Sequence, residues 1–503
     1  MDLRSHAAAT PAHCAIVCGV RALSYAELEA LANRIASVFR GLGLQRGDHI
    51  AWLLGNRPEA LALAWGAYRC GLYLTPLATG LSPSELAYLV ENCEARLVVV
   101  DRDLPIVTPV RRLSFDGPFD GCTAIEPLIA DASPAPHDSE PPGALMVYTS
   151  GTTGAPKGVF RTLPAADFIG TPAFATDLHA LFGLAGVDVR YLSTAPLYHA
   201  AALRFALAVT AGGGTVHLMD RFDADGALRL LTREAITHSQ WVPTMFQRLL
   251  ALPPEHRHAF SAPHHRVAVH GAAPCPVVIK RAMIEWWGPI LLEYYSGSEG
   301  IGLTLINSAD ALRKPGSVGR ARKGELHIVD PDGHELPAGK TGVVHFSGVT
   351  PFAYFNAPDK TTAKTSPQGW QTFGDMGHVD AEGWLYLTDR LDDMIISGGV
   401  NVYPQEIERA MLAVNGVWEC AVVGVPDERF GERPVAFVVP THERAGDTPA
   451  LIAQVRAQLQ GQLGRLKQPE HIHAIASLPR TATGKVLRRA LRDLLTDQPR
   501  TKS

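Results

Sequence analysis

The chain has 503 residues, 46% of them hydrophobic, so it can bury a globular core and is long enough for a large domain and at least one smaller one. Lysine and arginine total 46 against 50 aspartate and glutamate, and the net charge of −4 offers none of the basic footprint of a nucleic-acid-binding protein. The seven cysteines are scattered, as is typical of buried thiols in a reducing compartment. The most apolar segment, residues 197–216, contains His199 and Arg204, so no membrane span is predicted. We expect a cytoplasmic protein that acts on small molecules.

The first part of the chain alternates between helix and strand patterns. Residues 24–43 predict an amphipathic helix that starts with a capping box, and a second capping box occupies residues 82–85. A strand pattern at 49–54, a helical pattern at 59–71 and a buried-strand run at 95–101 lie between and after them. This alternation predicts an α/β fold of layered sheets and helices.

A loop rich in glycine and hydroxyl groups follows a predicted strand at residues 144–149. The stretch from Tyr148 to Val159 reads YTSGTTGAPKGV and offers backbone amides, hydroxyls and one ammonium to phosphate oxygens. It does not match the P-loop pattern, and a flexible surface loop is the alternative for its shorter pieces. The predicted phosphate ligands are Thr149, Ser150, Gly151, Thr152, Thr153, Gly154 and Lys157.

The last part of the chain has a different pattern of predicted strands and helices. Residues 327–336 predict two strands around an Asp-Pro-Asp-Gly turn, and residues 343–348 predict another strand. From residue 389 a loop leads into a helix at 404–414, followed by strands at 418–425 and 435–440, a helix at 449–463 and a strand at 471–476. We predict a domain at 1–390 and a smaller α+β domain at 391–503.

With these motifs in this order, the chain resembles the adenylate-forming superfamily of acyl-CoA synthetases, peptide-synthetase adenylation domains and luciferases. The likeness runs from about Ser24 to Arg489. It implies the adenylate-forming fold, with a large N-terminal domain that binds ATP and acid and a small mobile C-terminal domain. It also implies Mg²⁺ as cofactor, ATP and coenzyme A as co-substrates, and a carboxylate that attacks the α-phosphate before a thiol attacks the acyl-adenylate.

The resemblance assigns catalytic roles to three residues. Lys485 in PRTATGKVLRR would bridge the substrate carboxylate and the α-phosphate, and Glu299 in EYYSGSEG would bind magnesium. His199 in APLYHAAAL would gate thiol entry or touch the acyl group. Ser298 stands where the family usually has threonine and could still reach a phosphate, while Ser296 replaces a usual glycine. In isolation, Lys485 would read as a turn lysine and His199 as an interior histidine.

The resemblance further implies a nucleotide site. Tyr295 would stack on adenine, Asp375 would accept hydrogen bonds from both ribose hydroxyls, and Arg390 would add a cation near ribose or phosphate. Read alone, these are a core tyrosine and surface charges. The other residues assigned to adenine and ribose binding are Gly271, Ala272, Ala273, Glu293 and Tyr294.

The remaining assignments concern domain movement and the acid. Asp392 matches the family's hinge, and Gly398 and Gly399 match the loop that lines its coenzyme A tunnel, although an ordinary loop fits those two glycines equally well. The acid pocket is predicted to be walled by Trp241, Thr244, Met245, His270 and Gly297. Because the pocket stretches contain no obvious cation, the acid is expected to be apolar: fatty, aromatic or polycyclic.

The leading interpretation is therefore an AMP-forming acid–CoA ligase. A standalone enzyme that loads a carrier-protein phosphopantetheine needs the same residues and stays open as an alternative. A luciferase-like monooxygenase and a non-catalytic nucleotide-binding homologue are further alternatives, although a binder needs no lysine at the α-phosphate. The oligomeric state is left open, with a homodimer as the default expectation.

Overall fold

The computed structural model describes residues 2–103, 109–149, 156–167, 172–398, 400–480 and 486–496. Within these ranges the helices are α1 (Leu3–Ala9), α2 (Tyr25–Gly41), α3 (Pro58–Arg69), α4 (Pro83–Asn92), α5 (Ile125–Asp131), α6 (Ala173–Phe182), α7 (Ala200–Gly212), α8 (Ala224–Arg233), α9 (Pro243–Leu250), α10 (Pro254–Ala259), α11 (Val277–Trp287), α12 (Ser308–Arg313), α13 (Pro358–Thr362), α14 (Pro404–Leu412), α15 (Thr448–Gln462) and α16 (Arg488–Thr496).

The strands in the same ranges are β1 (Cys14–Cys18), β2 (Arg21–Ser24), β3 (His49–Leu53), β4 (Tyr73–Pro76), β5 (Ala95–Val100), β6 (Arg111–Ser114), β7 (Thr123–Ala124), β8 (Ala144–Leu145), β9 (Val147–Thr149), β10 (Lys157–Phe160), β11 (Arg190–Ser193), β12 (Thr215–Leu218), β13 (His238–Trp241), β14 (Val267–His270), β15 (Leu291–Tyr295), β16 (Leu303–Asn307), β17 (Arg320–Lys323), β18 (Glu325–Val329), β19 (Gly342–Ser347), β20 (Ala353–Tyr354), β21 (Gln371–Val379), β22 (Leu385–Arg390), β23 (Ile395–Ser397), β24 (Val400–Val402), β25 (Val417–Asp427), β26 (Gly431–Pro440) and β27 (Ile472–Ala474).

Two large sheets contain most of the strands from β1 to β17. The nine-stranded sheet has the order β17-β16-β15-β14-β13-β11-β12-β1-β2, and its strands β1 and β11 to β15 run parallel. The six-stranded sheet, β7-β6-β5-β3-β4-β8, is parallel throughout. Parallel strands are usually buried on both faces, which explains the continuous apolar run of β5. The predicted α/β class is confirmed.

The predicted capping boxes both begin helices. Ser24 accepts a hydrogen bond from the Glu27 amide while the Glu27 side chain reaches back to Ser24, so α2 starts where the sequence indicated. Ser82 and Glu85 form the same reciprocal contact at the start of α4. These helix starts are local features, which is why the sequence alone locates them.

The largest apolar core lies between the two sheets. It joins Trp52 and Val99 of the six-stranded sheet to Tyr191 and Val269 of the nine-stranded sheet, with residues of α2, α3, α6 and α7 packed among them. A second core, which includes Trp241, covers the opposite face of the nine-stranded sheet with α8, α9 and α11. We call these two sides the α7 face and the α11 face, because successive strand residues alternate between them.

The predicted strand at residues 144–149 is divided between two sheets. β8 closes the edge of the six-stranded sheet, whereas β9 pairs with β10 and β20 in a three-stranded antiparallel sheet. The phosphate-type motif therefore connects the strands of a hairpin, in which Lys157 lies opposite Thr149. Its residues Ser150, Gly151, Thr152, Thr153 and Gly154 lie outside the described residues.

Two smaller sheets complete the molecule. A four-stranded sheet, β18-β19-β21-β22, leads to a 3₁₀ turn at Leu391–Asp393, and β23 to β27 then form a five-stranded sheet covered by α14, α15 and α16. Two predictions need correction here. The turn after β18 is followed by a single bridge at Glu335 and not by a second strand, and the loop before α14 contains the β23–β24 hairpin.

The change of sheet after Arg390 coincides with the predicted boundary between residues 390 and 391. The division into two domains stays a prediction. Among the described residues, no helix is both long enough and apolar enough to cross a membrane.

Candidate active site

The loop after β15 holds the predicted magnesium carboxylate. Glu299 is only 7% exposed, and its Oε1 atom accepts a hydrogen bond of 2.8 Å from the Tyr354 hydroxyl. A Cβ atom on Gly297 would lie 2.4 Å from the Phe373 ring and 2.7 Å from Glu299 Oε2, so this position needs glycine. The hydroxyl of Ser296 donates to the Gly302 carbonyl at 2.7 Å, which closes the loop. The serine that replaces the family's glycine thus has a structural role.

Lys157 lies beside this carboxylate because of strand register. Tyr354 in β20 pairs with Val159 in β10, so Lys157, two residues earlier in β10, points to the same side as the tyrosine. Its Nζ atom lies 5.2 Å from the centroid of the Tyr354 ring. Burial lowers the pKa of Lys157, and Lys360 and Lys364 lower it further. The motif lysine therefore belongs to a group of cations suited to a polyphosphate.

Asp375 joins three strands. Its Oδ2 atom accepts a hydrogen bond of 2.7 Å from the Tyr295 hydroxyl, and its Oδ1 atom accepts one of 3.1 Å from Arg390 Nε. Asp375 and Arg390 are register partners in β21 and β22. Burial raises the pKa of the Tyr295 hydroxyl well above its usual value, and the Asp375 carboxylate adds to this effect, so Tyr295 stays a donor. Each Asp375 oxygen keeps a lone pair for a further donor.

The small residues predicted to line adenine follow β14 directly. Gly271 packs against Tyr294, since a Cβ atom there would lie 2.7 Å from the Tyr294 carbonyl oxygen. Ala272 has a φ of 68°, in the left-handed region that non-glycine residues rarely adopt. Ala272 and Ala273 are exposed at the end of the strand. An exposed surface of small side chains next to β15 is compatible with a planar base, and that role stays a prediction.

The two consecutive tyrosines of β15 face opposite ways. Tyr295 packs with Phe373 and the four-stranded sheet, whereas Tyr294 belongs to the α7 face. The Tyr294 hydroxyl accepts a hydrogen bond of 3.4 Å from the Gln240 amide, which in turn accepts one of 3.1 Å from the Tyr191 hydroxyl. Of the two tyrosines, only Tyr295 contacts the predicted ribose carboxylate, so strand alternation separates their roles.

Glu293 is predicted to contact adenine, but its side chain lies in the protein interior. It lies on the α11 face, is 4% exposed and forms a buried ion pair with Lys280 of α11. Burial raises the pKa of Glu293, and the Lys280 ammonium opposes that rise. A carboxylate that is already paired in the interior is a poor candidate for a contact with an incoming base.

Two of the predicted acid-pocket residues lie in the core of the α11 face. Trp241 and His270 are 1% and 0% exposed and pack with Phe246. Burial lowers the pKa of His270 well below its usual value, so its ring is neutral. This placement does not support an open pocket wall at either residue. Met245, whose sulfur accepts from the Thr194 hydroxyl at 3.3 Å, is also buried, whereas Thr244 and Gly297 are half-buried.

The start of α7 approaches the Glu299 loop from the other side. His199 is the residue before the first turn, and its ring lies 4.7 Å from that of Tyr198. Arg204, one turn further along α7, donates from Nη2 to the carbonyl oxygen of Ser298 at 3.4 Å. The predicted thiol-gating histidine and the predicted phosphate-binding serine are thereby connected through one helix.

The segment around Asp392 connects β22 to the C-terminal sheet through its 3₁₀ turn. The side chain of Asp389, just before this turn, accepts a hydrogen bond of 2.7 Å from the backbone N–H of Gln405 at the start of α14. Gly398 has a φ of 56° at the tip of the β23–β24 hairpin and donates to the Phe430 carbonyl oxygen at 2.8 Å. Gly399 and Lys485 lie outside the described residues. The hinge and tunnel roles stay predictions.

The residues around Glu299 fit a magnesium ion that ATP brings with it. Glu299 is a hard oxygen ligand, and one of its two oxygens is engaged by Tyr354. Among the described residues, Glu299 is not part of any group of three acidic, histidine or cysteine side chains close enough to form a protein-only metal cage. Magnesium commonly binds through one or two carboxylates and the substrate phosphates.

Three residues next to this site escaped sequence reasoning. Tyr354 contacts Glu299, Lys280 neutralises Glu293, and Arg161 donates to the carbonyl oxygens of Glu299 and Gly300 at 2.6 and 3.1 Å. Arg161 follows the YTSGTTGAPKGV motif by two residues, at the same strand periodicity as Lys157, which is a signal that could have been used. Tyr354 and Lys280 come from distant segments and carry no such signal.

Solved structures identify the class to which this fold belongs. ATP-bound MatB from Rhodopseudomonas palustris matches with a TM-score of 0.82 and 31% identity over 99% of each chain. The o-succinylbenzoate CoA synthetase from Bacillus subtilis, in complex with its acyl-adenylate intermediate, matches with a TM-score of 0.81 and 26% identity over 100% of this chain and 99% of that one. The fold is that of an adenylate-forming enzyme.

Family models and curated relatives narrow the class. A model described as AMP-binding enzyme matches residues 3–353, and one described as AMP-binding enzyme C-terminal domain matches residues 406–485. The indoleacetate–CoA ligase of Aromatoleum aromaticum is 35% identical over 97% of this chain and 96% of its own. The long-chain-fatty-acid–CoA ligase of Mycobacterium tuberculosis is 33% identical over 94% and 93%. The fatty acid–[acyl-carrier-protein] ligase of Streptomyces coeruleorubidus is 32% identical over 97% and 94%.

The chain belongs to the AMP-binding enzyme family, in the acyl-CoA synthetase branch of the adenylate-forming superfamily. The resemblance inferred from the motifs is confirmed.

Proposed function

We propose that this protein is an ATP-dependent acid–CoA ligase for an apolar carboxylic acid. In the first half-reaction the acid's carboxylate oxygen attacks the α-phosphorus of ATP, and pyrophosphate leaves. In the second, the thiol of coenzyme A loses its proton and attacks the acyl carbonyl, and AMP leaves. The products are an acyl-CoA thioester, AMP and pyrophosphate.

Two carboxylates anchored by tyrosine hydroxyls support this proposal most strongly. Tyr354 holds Glu299 and Tyr295 holds Asp375, at 2.8 and 2.7 Å. Each tyrosine engages one oxygen and fixes the side chain's direction, so the remaining lone pairs point to defined places. Oriented carboxylates next to a group of cations are what a metal–triphosphate and a ribose require.

Each group has a distinct task in this mechanism. Asp375 and Arg390 would hold the ribose, and Lys157 with the hairpin motif would hold the phosphates. Magnesium, held by Glu299, would neutralise charge on the triphosphate. Lys485 would join the acid's carboxylate to the α-phosphate, which places positive charge where two anions meet. His199 and Ser298 would border the acyl group and the phosphates.

The second half-reaction requires the lysine to withdraw. We propose that residues 391–503 rotate about Asp392 between the two half-reactions, which brings the loop at Gly398 and Gly399 to the thiol. The 3₁₀ turn at Leu391–Asp393, between two separate sheets, is a suitable place for this movement. The Asp389–Gln405 contact across it would have to break.

The acid is proposed to be fatty, aromatic or polycyclic. Relatives named for indoleacetate and long-chain fatty acids support an apolar acid. The apolar start of α7, with Ala200 and Ala201 half-buried beside Tyr198, supports it as well. The particular acid, a cytoplasmic location and a homodimer remain predictions.

Pyrophosphate release from Mg-ATP tests the proposal. The assay would use pooled aliphatic, aromatic and polycyclic acids, with and without coenzyme A, for the wild type, Lys485→Ala and Lys340→Ala. Lys340 is an exposed turn lysine and serves as the matched control. We expect acid-dependent release that increases with coenzyme A, falls by at least about a hundredfold in Lys485→Ala and is unchanged in Lys340→Ala. Binding of ATP without release for any acid would contradict the proposal.

The relative named as a fatty acid–[acyl-carrier-protein] ligase supports a second candidate, the loading of a carrier-protein phosphopantetheine. Both activities form the same adenylate, so the acceptor distinguishes them. Adenylate formation without consumption of coenzyme A, together with transfer to a phosphopantetheinylated carrier protein, would favour this second candidate.

A further inference from the structure

Arg204 is the one half-buried position in a stretch of α7 that is otherwise buried. Residues 202, 203 and 205–212 are buried, whereas Arg204 shares its partial exposure with Ala200 and Ala201 at the start of the helix. Its guanidinium reaches the carbonyl oxygen of Ser298, the residue before Glu299. Arg204 therefore lies where α7 meets the predicted metal-binding loop.

The hydrogen bonds of Arg204 contrast with those of Arg161. Arg161 donates to the carbonyl oxygens of Glu299, Gly300 and Thr350 at 2.6, 3.1 and 3.1 Å, so the fold itself uses its donors. Arg204 has five N–H donors and makes one long bond of 3.4 Å to the part of the chain that the structure describes. Among the described residues, no carboxylate oxygen lies within 4.0 Å of its guanidinium.

The surroundings of Arg204 favour an anion. Burial lowers the pKa of Arg204 to about 10, and the nearby Arg161 contributes in the same direction, yet the group remains a cation at neutral pH. A cation that is withdrawn from water beside another cation is stabilised when an anion arrives. Guanidinium groups bind carboxylates with two parallel hydrogen bonds, and Arg204 has the unused donors for such a contact.

Neighbouring side chains on the α7 face are polar and already oriented. Tyr191, Gln240 and Tyr294 form a hydrogen-bonded chain on this face, and the Tyr294 ring packs against Phe205, the residue after Arg204. Two acidic groups raise the pKa of Arg204, the Glu299 carboxylate and the Tyr294 hydroxyl, and both accept hydrogen bonds, from Tyr354 and from Gln240. An incoming anion would therefore have little competition for the guanidinium.

We propose that Arg204 binds a carboxylate of the acid substrate and so selects acids by that group. This role rests on the proposed ligase activity. The carboxylate could be the one that attacks ATP or a second one at the far end of a diacid, and the two sources share the same chemistry. In either case Arg204 contacts the substrate, whereas Arg161 only positions the Glu299 loop.

Matched pairs of acids test this role in the full-length protein. The pairs are octanoate with octanedioate and phenylacetate with para-phenylenediacetate, and the variants are Arg204→Met, Arg204→Lys and Arg190→Met. Arg190, the first residue of β11, is an exposed arginine whose guanidinium donates to the Glu234 carbonyl oxygen at 3.2 Å. The readouts are the KM values for acid and for ATP, and the thermal stabilisation that each acid and Mg-ATP cause.

We expect Arg204→Met to raise the KM for acid by about tenfold or more and to lose acid-dependent stabilisation, with the KM for ATP and the stabilisation by Mg-ATP retained. Arg204→Lys, which keeps the charge without the paired donors, should lie between the wild type and Arg204→Met. Arg190→Met should match the wild type. If Arg204→Met weakens the binding of monoacids and diacids equally, Arg204 binds the reacting carboxylate. If only the binding of diacids is weakened, Arg204 binds the second carboxylate.

Other outcomes overturn the role. An active Arg204→Met variant with unchanged KM values for all four acids would show that the Arg204 guanidinium does not bind a carboxylate of the substrate. Loss of Mg-ATP stabilisation in both Arg204→Met and Arg204→Lys would show that it serves the nucleotide or the loop. A wild-type protein that none of the four acids engages or stabilises would overturn the proposed ligase activity together with this role.

Discussion

The two faces of the nine-stranded sheet handle charge in opposite ways. On the α11 face, Glu293 and Lys280 pair with each other in the interior, and the neighbouring His270 is fully buried among aromatic rings. On the α7 face, Arg204 remains half-buried, without a carboxylate partner among the described residues, beside a chain of polar groups. Among the described residues, the buried charges Glu293 and Lys280 on the α11 face pair with each other, whereas Arg204 on the α7 side has no carboxylate partner.

This difference shows that burial of a charge does not by itself indicate function. A buried ion pair compensates its own desolvation cost and needs no ligand. A cation with unused donors next to an accessible loop is stabilised only when an anion binds. The same criterion separates Glu293, which is paired with Lys280, from Glu299, which accepts one hydrogen bond from Tyr354 and is proposed to offer its other oxygen to a metal ion. The following predictions test this distinction, from the largest expected effect to the smallest.

Replacement of Glu299 should have the largest effect. Glu299→Gln keeps the shape of the side chain but removes the charge that would hold magnesium, so we expect kcat/KM for ATP to fall about a thousandfold, or about 4 kcal/mol. The magnesium concentration needed for half-maximal rate should rise. Steady-state pyrophosphate release at varied magnesium measures both. Glu325→Gln, at an exposed glutamate, is the control. An unchanged magnesium requirement would remove Glu299 from the metal site.

Replacement of Lys280 should mainly reduce stability. Lys280→Met leaves Glu293 as an uncompensated buried charge, so we expect the free energy of unfolding to drop by about 3 kcal/mol. The double variant Lys280→Met/Glu293→Gln should recover most of this loss, since no unpaired charge remains. Urea denaturation measures both variants. The KM for ATP of folded Lys280→Met should stay within about twofold of the wild type, because Lys280 and Glu293 bond to each other on the α11 face and neither is a proposed ATP ligand.

Low pH should destabilise the protein through protonation of His238, a buried residue of the α7 face. Burial lowers its pKa from 6.5 to about 4. The unfolded chain therefore binds the proton more readily, so the stability contributed by neutral His238 is present above pH 6.5 and is lost as pH falls from 6.5 towards 4. Between pH 6.5 and pH 5 this amounts to about 2 kcal/mol.

The variant His238→Gln, which cannot be protonated, should lose that share of the pH dependence. Urea denaturation at the two pH values for the wild type and the variant measures the difference. Equal pH dependence in both would mean that His238 is not the responsible group. His217 and His265, whose pKa values burial also lowers, would then be the next candidates.

The two adjacent tyrosines should give the smallest effect and the sharpest contrast. Tyr295→Phe removes the hydroxyl that orients Asp375, so we expect the KM for ATP to rise about fivefold, or about 1 kcal/mol. Tyr294→Phe removes a hydroxyl on the α7 face and should leave the KM for ATP unchanged. Equal effects of the two substitutions would contradict the assignment of the tyrosines to different faces.

Local signals account for most of what the sequence predicted correctly. Capping boxes at Ser24 and Ser82 and the apolar run of β5 each depend on residues close together in the chain. The predictions for Trp241, His270 and Glu293 are not supported by their placement, because each depends on what packs against the strand. The sequence pattern around Trp241 would be the same whether a ligand or Trp287 packs against its side chain.

The contacts that complete the site come from distant segments. Tyr354 reaches Glu299 across 55 residues, and Tyr295 reaches Asp375 across 80. A pattern of a few residues cannot report such pairs. The position of Arg204 is similar: it stands in an apolar helix pattern, and only the approach of Ser298 shows that it lies at the site.

The sequence by itself determined the family, the α/β layering and the order of the motifs, because these depend on local spacing and residue type. The tertiary structure decided which charges are paired and which remain available to a ligand. That decision belongs to packing, since the face of a strand, the depth of burial and the identity of the neighbour are set by segments far apart in the chain. Glu293 and Glu299, six residues apart in one stretch, differ for this reason alone.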